Sequence, residues 1–583
     1  MPDRVSVLLP TWTQPSITQT VLGKSGVLNG IEEFRGIPYG RVPERWQHAI
    51  LLDQLPEDVF DATHNGPRCP QPQEPNNSDF YQSYLEFPSD VTESEFDCLN
   101  LFITRPSRLT SGRETKLPVY AYIHGGAYAF GAGTDPMWDP AHLVAKSVEI
   151  GTPIIVVTIN YRLNLFGFAA SSEIIDSQSP EQTRGCNFGL GDQNIALRWV
   201  QRNIGAFGGD TNKITVGGQS AGGSSAHAHI LDAILGSKAP LVQRAIIQSG
   251  AVGVLGPLTM TSANTRWAVL CDKLGAPAED AVERMKFMRN IPPDIILEAY
   301  RDLAWIVCPL VQDNLTISRR ADNRWNVHFT ISDDPVADVG ACDKPEYAIL
   351  IGDTELEGTM HRSHVTQIKS LEDFKSRLTS GSPLEETFMD AFCNIYRLEA
   401  SMSTASLHEQ IFRFLSDIQF GYPVQQARED FMTWETSVKE LSQQKRASNL
   451  HPIQVHSYRV EVGNPFLGPN HGVAHHCVDL IYIYDAFHDA LRAIDVASPT
   501  GGTSNAELVN RVQTDWITFI AAPSINENRD LATVYTSDHK AKVVNMSLDK
   551  DWQDRKRRFD FISQYTNAAR QVAKIVTRGD DIS

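Results

Sequence analysis

The chain has 583 residues, 42% of them hydrophobic and 21% charged, an ordinary globular balance with material for a large core. Lys and Arg total 52 against 70 Asp and Glu, a formal net charge of −18. A surface this acidic repels phosphate backbones and anionic lipid, which argues against nucleic acid as a partner.

The first residues, MPDRVSVLLPTWTQ, carry one basic side chain and a short apolar patch broken by Pro10, too weak for a secretory signal. The expectation is a cytoplasmic protein; a secreted one trimmed of its signal would read the same. The stretch from Gln71 to Glu95 is rich in Pro, Asn, Ser and acids and reads as a surface excursion. From Leu117 onward strand signals alternate with helix signals. Leu117–Ile123 runs into His124-Gly125-Gly126. Pro153–Ile159 is a continuous β-branched run, as suits a strand covered on both faces, and is far below the ~20 residues of a membrane span. Asn194–Ile204 has helical spacing through Ala196, Trp199, Val200 and Ile204. Further strands are expected at Lys213–Val216, Arg244–Gln248, Tyr347–Ile351 and Pro452–Val460. This alternation implies a mostly parallel sheet with helices on both faces, an α/β fold. Residues 262–343 and 370–448 read as helical or irregular lid or cap insertions, like 71–95, within a single domain spanning 1–583.

The chemistry-bearing motif is Gly218-Gln219-Ser220-Ala221-Gly222, a G-x-S-x-G sequence straight after a strand and before a small-residue helix start. A sharp strand-to-helix turn there holds a serine hydroxyl at the head of the sheet, against the positive end of the helix dipole. Alone the motif is common by chance; its strand–turn–helix setting favours Ser220 as a nucleophile. Negative charge on an attacked carbonyl needs N–H donors, each worth ~3 kcal/mol of barrier. Ala221 N–H is one candidate, and the earlier turn Gly125-Gly126 supplies others.

Further blocks make the chain resemble the type-B carboxylesterases, the α/β-hydrolase family of cholinesterases and some fungal lipases. Phe34–Gly40 is similar to the family's FxGIPYA block and Glu95–Leu101 to its EDCLxLN block. Asn160-Tyr161-Arg162, Gly167-Phe168 and Phe207–Asp210 are also family-like. The family's acid block is matched by Gly352–Gly358, which implies Glu357 as triad acid, with Glu355 as a surface carboxylate. His471, His475 and His476 crowd one segment. The family places an acid three residues after its histidine and aromatics six and eight after; from His476 these are Asp479, Tyr482 and Tyr484, whereas none fits from His475. His476 is therefore the expected base and His475 the alternative. The resemblance also suggests Ser249 and Asp417 as groups near the triad acid, Asp417 being equally readable as a surface aspartate.

The implied activity is hydrolysis of a small-molecule carboxylic ester through an acyl-enzyme, with no cofactor. A non-catalytic binding relative, or an acyltransferase or lactone-forming enzyme with the same triad, are the alternatives. Cholinesterases carry Glu before the nucleophile and a Trp in the first Cys–Cys loop. Here Gln219 precedes Ser220, and the Cys69–Cys98 stretch holds Phe80, Tyr81, Tyr84, Phe87 and Phe96 but no Trp, which argues for uncharged, mid-sized esters. Cys69 and Cys98 match the family's first disulfide pair. The eight cysteines include no CxxC pair and no zinc-like spacing, so no metal is expected. The closest wording is that of intracellular fungal members, often found in natural-product or detoxification pathways.

Overall fold

The computed structural model describes residues 4–26, 28–72, 85–107, 116–181, 183–236, 240–305, 307–329, 346–379, 384–434, 453–497, 503–522 and 528–577. Phe80, Tyr81, Tyr84 and Cys342, and parts of the three expected insertions, lie outside them.

A 13-stranded sheet organises the chain. Its strands are β1 Arg4–Pro10, β2 Thr18–Ser25, β3 Ile31–Pro38, β4 Val59–Asp61, β5 Asn100–Pro106, β6 Leu117–Ile123, β7 Ile155–Ile159, β8 Gly209–Gln219, β9 Arg244–Gln248, β10 Ala348–Thr354, β11 Gln454–Val460, β12 Leu531–Tyr535 and β13 Ala541–Asn545. They lie in the order β1-β2-β3-β5-β7-β6-β8-β9-β10-β11-β12-β13, with β4 beside β2. The block from β7 to β12 is parallel; β1–β2, β2–β3, β3–β5, β5–β7 and β12–β13 are antiparallel. The α/β-hydrolase architecture expected from the sequence is thus present, with an antiparallel flank of N-terminal strands that the strand-and-helix pattern did not announce. The apolar patch near the N-terminus is β1, an edge strand whose side chains alternate between exposed and buried.

The central strands are buried on both faces, so successive side chains feed two different cores. Val119, Ala121 and Ile123 of β6 join Ile155, Val157 and Ile159 of β7 in one cluster. Tyr120, Tyr122 and Val156 point the other way and pack with the helices Val478–Tyr484 and Asn505–Ala521. The period-two alternation of a strand explains why a run of unbroken hydrophobicity is needed there.

Of the two later expected insertions, the second is mostly helical among the described residues. Residues 262–343 contribute helices ending at Lys273, Asn290 and Asp302 and three short strands. From 370 to 432 come helices Leu371–Thr379, Glu386–Ile395, Thr404–Ser416 and Tyr422–Met432, broken by a π-helical turn at Asp417–Gly421. These pack with the C-terminal helices Lys550–Gln564 and Thr566–Val576 around a third apolar cluster that includes Phe374, Phe388, Phe414 and Phe561. Among the described residues no helix is long and apolar enough to cross a membrane.

Candidate active site

Ser220 sits between β8 and the helix Ala221–Leu235 with φ 60° and ψ −121°. A non-glycine residue is strained in that region, and such strain persists only where the surroundings enforce it. The enforcement is visible. Ser220 N–H donates to Gln248 O of β9 (2.8 Å), and the turn is so tight that a Cβ on Gly222 would stand 2.0 Å from Ile123 O. The serine side chain caps nothing in the helix.

The Gly125-Gly126 turn crosses directly in front. A Cβ on Gly125 would meet Gln219 O at 2.7 Å and Ser220 Cβ at 3.2 Å, while Gly126 adopts φ 104°. Among the described residues nothing accepts a hydrogen bond from the N–H of Gly125 or Gly126. Ala221 N–H, at the first position of its helix, has no intrahelical acceptor either. The turn is anchored from behind: His124 is stacked on Tyr161 (ring centroids 4.6 Å apart), and Tyr161 OH donates to His124 O (2.9 Å). Gly125→Ala is expected to lower esterase activity by at least tenfold, because the new methyl group must push the turn off Ser220 and each lost oxyanion donor costs about 10²–10³ in kcat. Steady-state kinetics on a chromogenic ester beside a thermal melt will check it.

Glu357 follows β10 at the start of a short 3₁₀ turn, Glu357–His361, and is buried. Its Oε1 accepts from Thr354 N–H (3.0 Å), and its Oε2 is paired with His476 Nδ1. His476 lies in the turn before the helix Val478–Tyr484. Burial disfavours its charged form, but the contacting Cys477 and Glu357 outweigh burial and hold the imidazole well above its usual value. The Phe420 ring, from the π-helical turn, lies 4.5 Å from the imidazole centroid. The amide nitrogen of Gln219 is 3.2 Å from Nε2 and 3.5 Å from Nδ1. Gln219 thus brings the imidazole against the residue that precedes Ser220. No hydrogen bond joins Ser220 Oγ to the ring among the described residues; such bonds are often long without substrate and tighten when it binds.

His475, the alternative base, is turned elsewhere. Its Nδ1 meets His476 O at 2.5 Å and its Nε2 lies 2.9 Å from Asn464 Nδ2, while burial lowers its pKa to about 4. Glu355 faces Arg413 at the surface (3.6 Å). Ser249 donates its N–H to Gly352 O (2.9 Å), and its buried hydroxyl has no hydrogen-bond partner among the described residues.

Among the described residues Asp417 makes no hydrogen bond to the acid. Its carboxylate accepts from Arg558 Nε (2.5 Å) and Tyr396 OH (3.2 Å), so it ties the π-helical turn to the helix Lys550–Gln564. The neighbouring Ser416 is what reaches the acid's segment, accepting from Gly358 N–H at 2.8 Å. Asp417→Ala is expected to cost about 3–5 kcal/mol by stranding a buried guanidinium, read as a lower urea midpoint.

The structure also brings in residues that sequence reasoning passed over as site groups. Gln248, whose carbonyl fixes Ser220 N–H, donates its side-chain amide to Asp479 Oδ2 (2.8 Å), and burial raises that carboxyl to about 6. Phe420 carries no motif at all. Cys69 and Cys98 are both buried thiols rather than a disulfide, and Cys98 is made less acidic by a hydrogen bond to Cys69 and by burial.

The profile of the carboxylesterase family matches residues 18–562. The chain belongs to the carboxylesterase family. It is 31% identical over 506 residues to the para-nitrobenzyl esterase of Bacillus subtilis, covering 84% of this chain and 86% of that one. It is 30% identical over 379 residues to the inactive carboxylesterase-like protein VdtD of Byssochlamys spectabilis, covering 64% of this chain and 60% of that one. A solved PNB esterase structure superposes with a TM-score of 0.66 at 25% identity, covering 95% of this chain and 99% of the other. This carboxylesterase therefore shares both sequence and fold with ester hydrolases.

Proposed function

We propose that this carboxylesterase hydrolyses uncharged, mid-sized carboxylic esters with Ser220 as nucleophile, His476 as general base and Glu357 as its orienting acid. The observation that carries the reading is the convergence of three chain-distant elements. The elbow holds Ser220, the 3₁₀ turn after β10 holds Glu357 against His476 Nδ1, and the Gly125-Gly126 turn presents unpartnered N–H groups beside Ser220.

In this mechanism His476 takes the Ser220 proton through Nε2 as the hydroxyl attacks the ester carbonyl. The N–H groups of Gly125, Gly126 and Ala221 receive the oxyanion. His476 then protonates the leaving alcohol, and water attacks the acyl-enzyme with the same imidazole as base. Glu357 keeps Nδ1 protonated and offsets the charge of the imidazolium. The neutral carboxamide of Gln219 beside the imidazole offers no charge to a cationic alcohol, in keeping with uncharged substrates.

A series of p-nitrophenyl esters of increasing acyl length tests the substrate class: kcat/KM is expected to peak at intermediate length, and thiocholine esters to react at least tenfold more slowly than an isosteric neutral ester. Preference for the thiocholine ester would overturn it. Product analysis with a competing alcohol separates hydrolysis from acyl transfer.

A further inference from the structure

Two histidines and an aspartate meet at the far end of the helix that follows His476. His142 is in the first turn of the helix Ala141–Glu149; Asp485 terminates the helix Val478–Tyr484 in a left-handed conformation (φ 53°); His488 opens the helix His488–Ala497. One side-chain nitrogen or oxygen from each lies within 4.8 Å of the others. The two imidazoles are stacked, with centroids 4.4 Å apart and planes 12° from parallel. Asp485 is buried; its Oδ2 is 2.7 Å from His488 Nδ1 and its Oδ1 accepts from Arg492 Nη1 at 2.9 Å. The His488 side chain is 38% exposed, which leaves the cluster a path to solvent.

Two imidazoles and one carboxylate suit a borderline transition ion; calcium and magnesium want oxygen ligands. We propose that His142, Asp485 and His488 bind a divalent transition metal ion of the zinc, nickel or copper type, clipping the helix Ala141–Glu149 to the end of the helix behind His476. Water completes the coordination sphere on the exposed side. Two ligands on one tetrahedral ion lie about 3.3 Å apart for bonds of 2.0–2.1 Å and each imidazole holds the ion in its own plane, so binding requires the half-buried His142 ring to turn out of its stack on His488. Arg492 holds one oxygen of Asp485 from behind, as an outer partner that orients the ligand, while the other oxygen exchanges its contact with His488 for the ion. Sequence spacing could not show this, because His142 and His488 stand on segments far apart in the chain.

The test is titration of the EDTA-stripped full chain with zinc chloride by calorimetry, and with cobalt(II) by visible absorption. One equivalent is expected to bind, with a cobalt spectrum of nitrogen ligation and a raised thermal midpoint. Affinity should fall at least tenfold in His142→Ala and in His488→Ala, while both variants hydrolyse p-nitrophenyl esters as the parent does. Absence of stoichiometric binding, an all-oxygen cobalt spectrum, or unchanged affinity in both variants overturns the site. Should either variant fail to fold, the parent chain decides alone: nitrogen ligation of cobalt that is lost as the pH falls toward 5 supports it, and its absence refutes it.

Discussion

Ser220→Ala is expected to abolish ester turnover and covalent labelling by an organophosphonate while leaving the thermal midpoint where it was. The hydroxyl is the group whose oxygen would bond to the acyl carbon, and no neighbouring side chain replaces it: Ser224 Oγ is committed to Ala251 O (2.8 Å) and Ser225 Oγ to Tyr128 OH (3.3 Å). Loss of a nucleophilic serine from a triad costs roughly 10⁶ in kcat, with a residual 10³–10⁴ over water from the oxyanion donors and binding. The fold is unharmed because alanine keeps the same Cβ in the same strained turn, and because the serine hydroxyl makes no capping bond to lose. Equal rates for the two proteins would refute the catalytic reading outright. A parent chain that resists the phosphonate would place it instead beside its inactive relative.

The candidate elbow was more legible in the sequence than the strand that carries it, and the reason is steric. The elbow glycines are dictated by close backbone approach, so they survive as a readable motif. The strand that carries them is hidden by the same glycines: only Lys213–Val216 looked like a strand, yet β8 runs on through Gly217 and Gly218 to Gln219. A Cβ at Gly217 would come within 2.5 Å of the Tyr120 ring, so tertiary packing overrides a poor local preference there. The helix read from Asn194 begins at Phe188 instead, after Asn187 in a left-handed conformation; its first turn is glycine-rich and carries no amphipathic period. The histidine register was legible because the aromatic spacing has a packing cause. Tyr482 OH donates to Gly463 O (3.0 Å), and Tyr484 packs edge-on against Tyr122 (5.2 Å). Asp417 and Phe420 were not legible in the same way. A π-helical turn shifts which side chains face inward, and helical spacing alone does not reveal where such a turn occurs.

Glu357→Gln is expected to move the acid limb of kcat/KM to lower pH and to cut kcat by roughly 10⁴, as loss of the carboxylate does in other triads. The imidazole must be neutral to accept the serine proton, so activity rises with pH through the pKa of His476 in the free enzyme. In the parent that pKa stands well above 6.5, because contacts with Cys477 and Glu357 outweigh a burial effect that acts in the opposite direction. The parent should therefore lose activity as the pH falls through a value above that of an ordinary histidine. In the glutamine variant the carboxylate charge is gone while burial remains, so the imidazole deprotonates at lower pH and the limb shifts down. The rate falls at the same time, because the amide neither stabilises the imidazolium nor fixes its tautomer. Glu355→Gln is the control: that carboxylate faces Arg413 at the surface, and its removal should leave both the limb and the rate unchanged. A limb that stays fixed in Glu357→Gln but moves in Glu355→Gln would exchange the two roles. A limb that moves in neither would remove the acid from the mechanism.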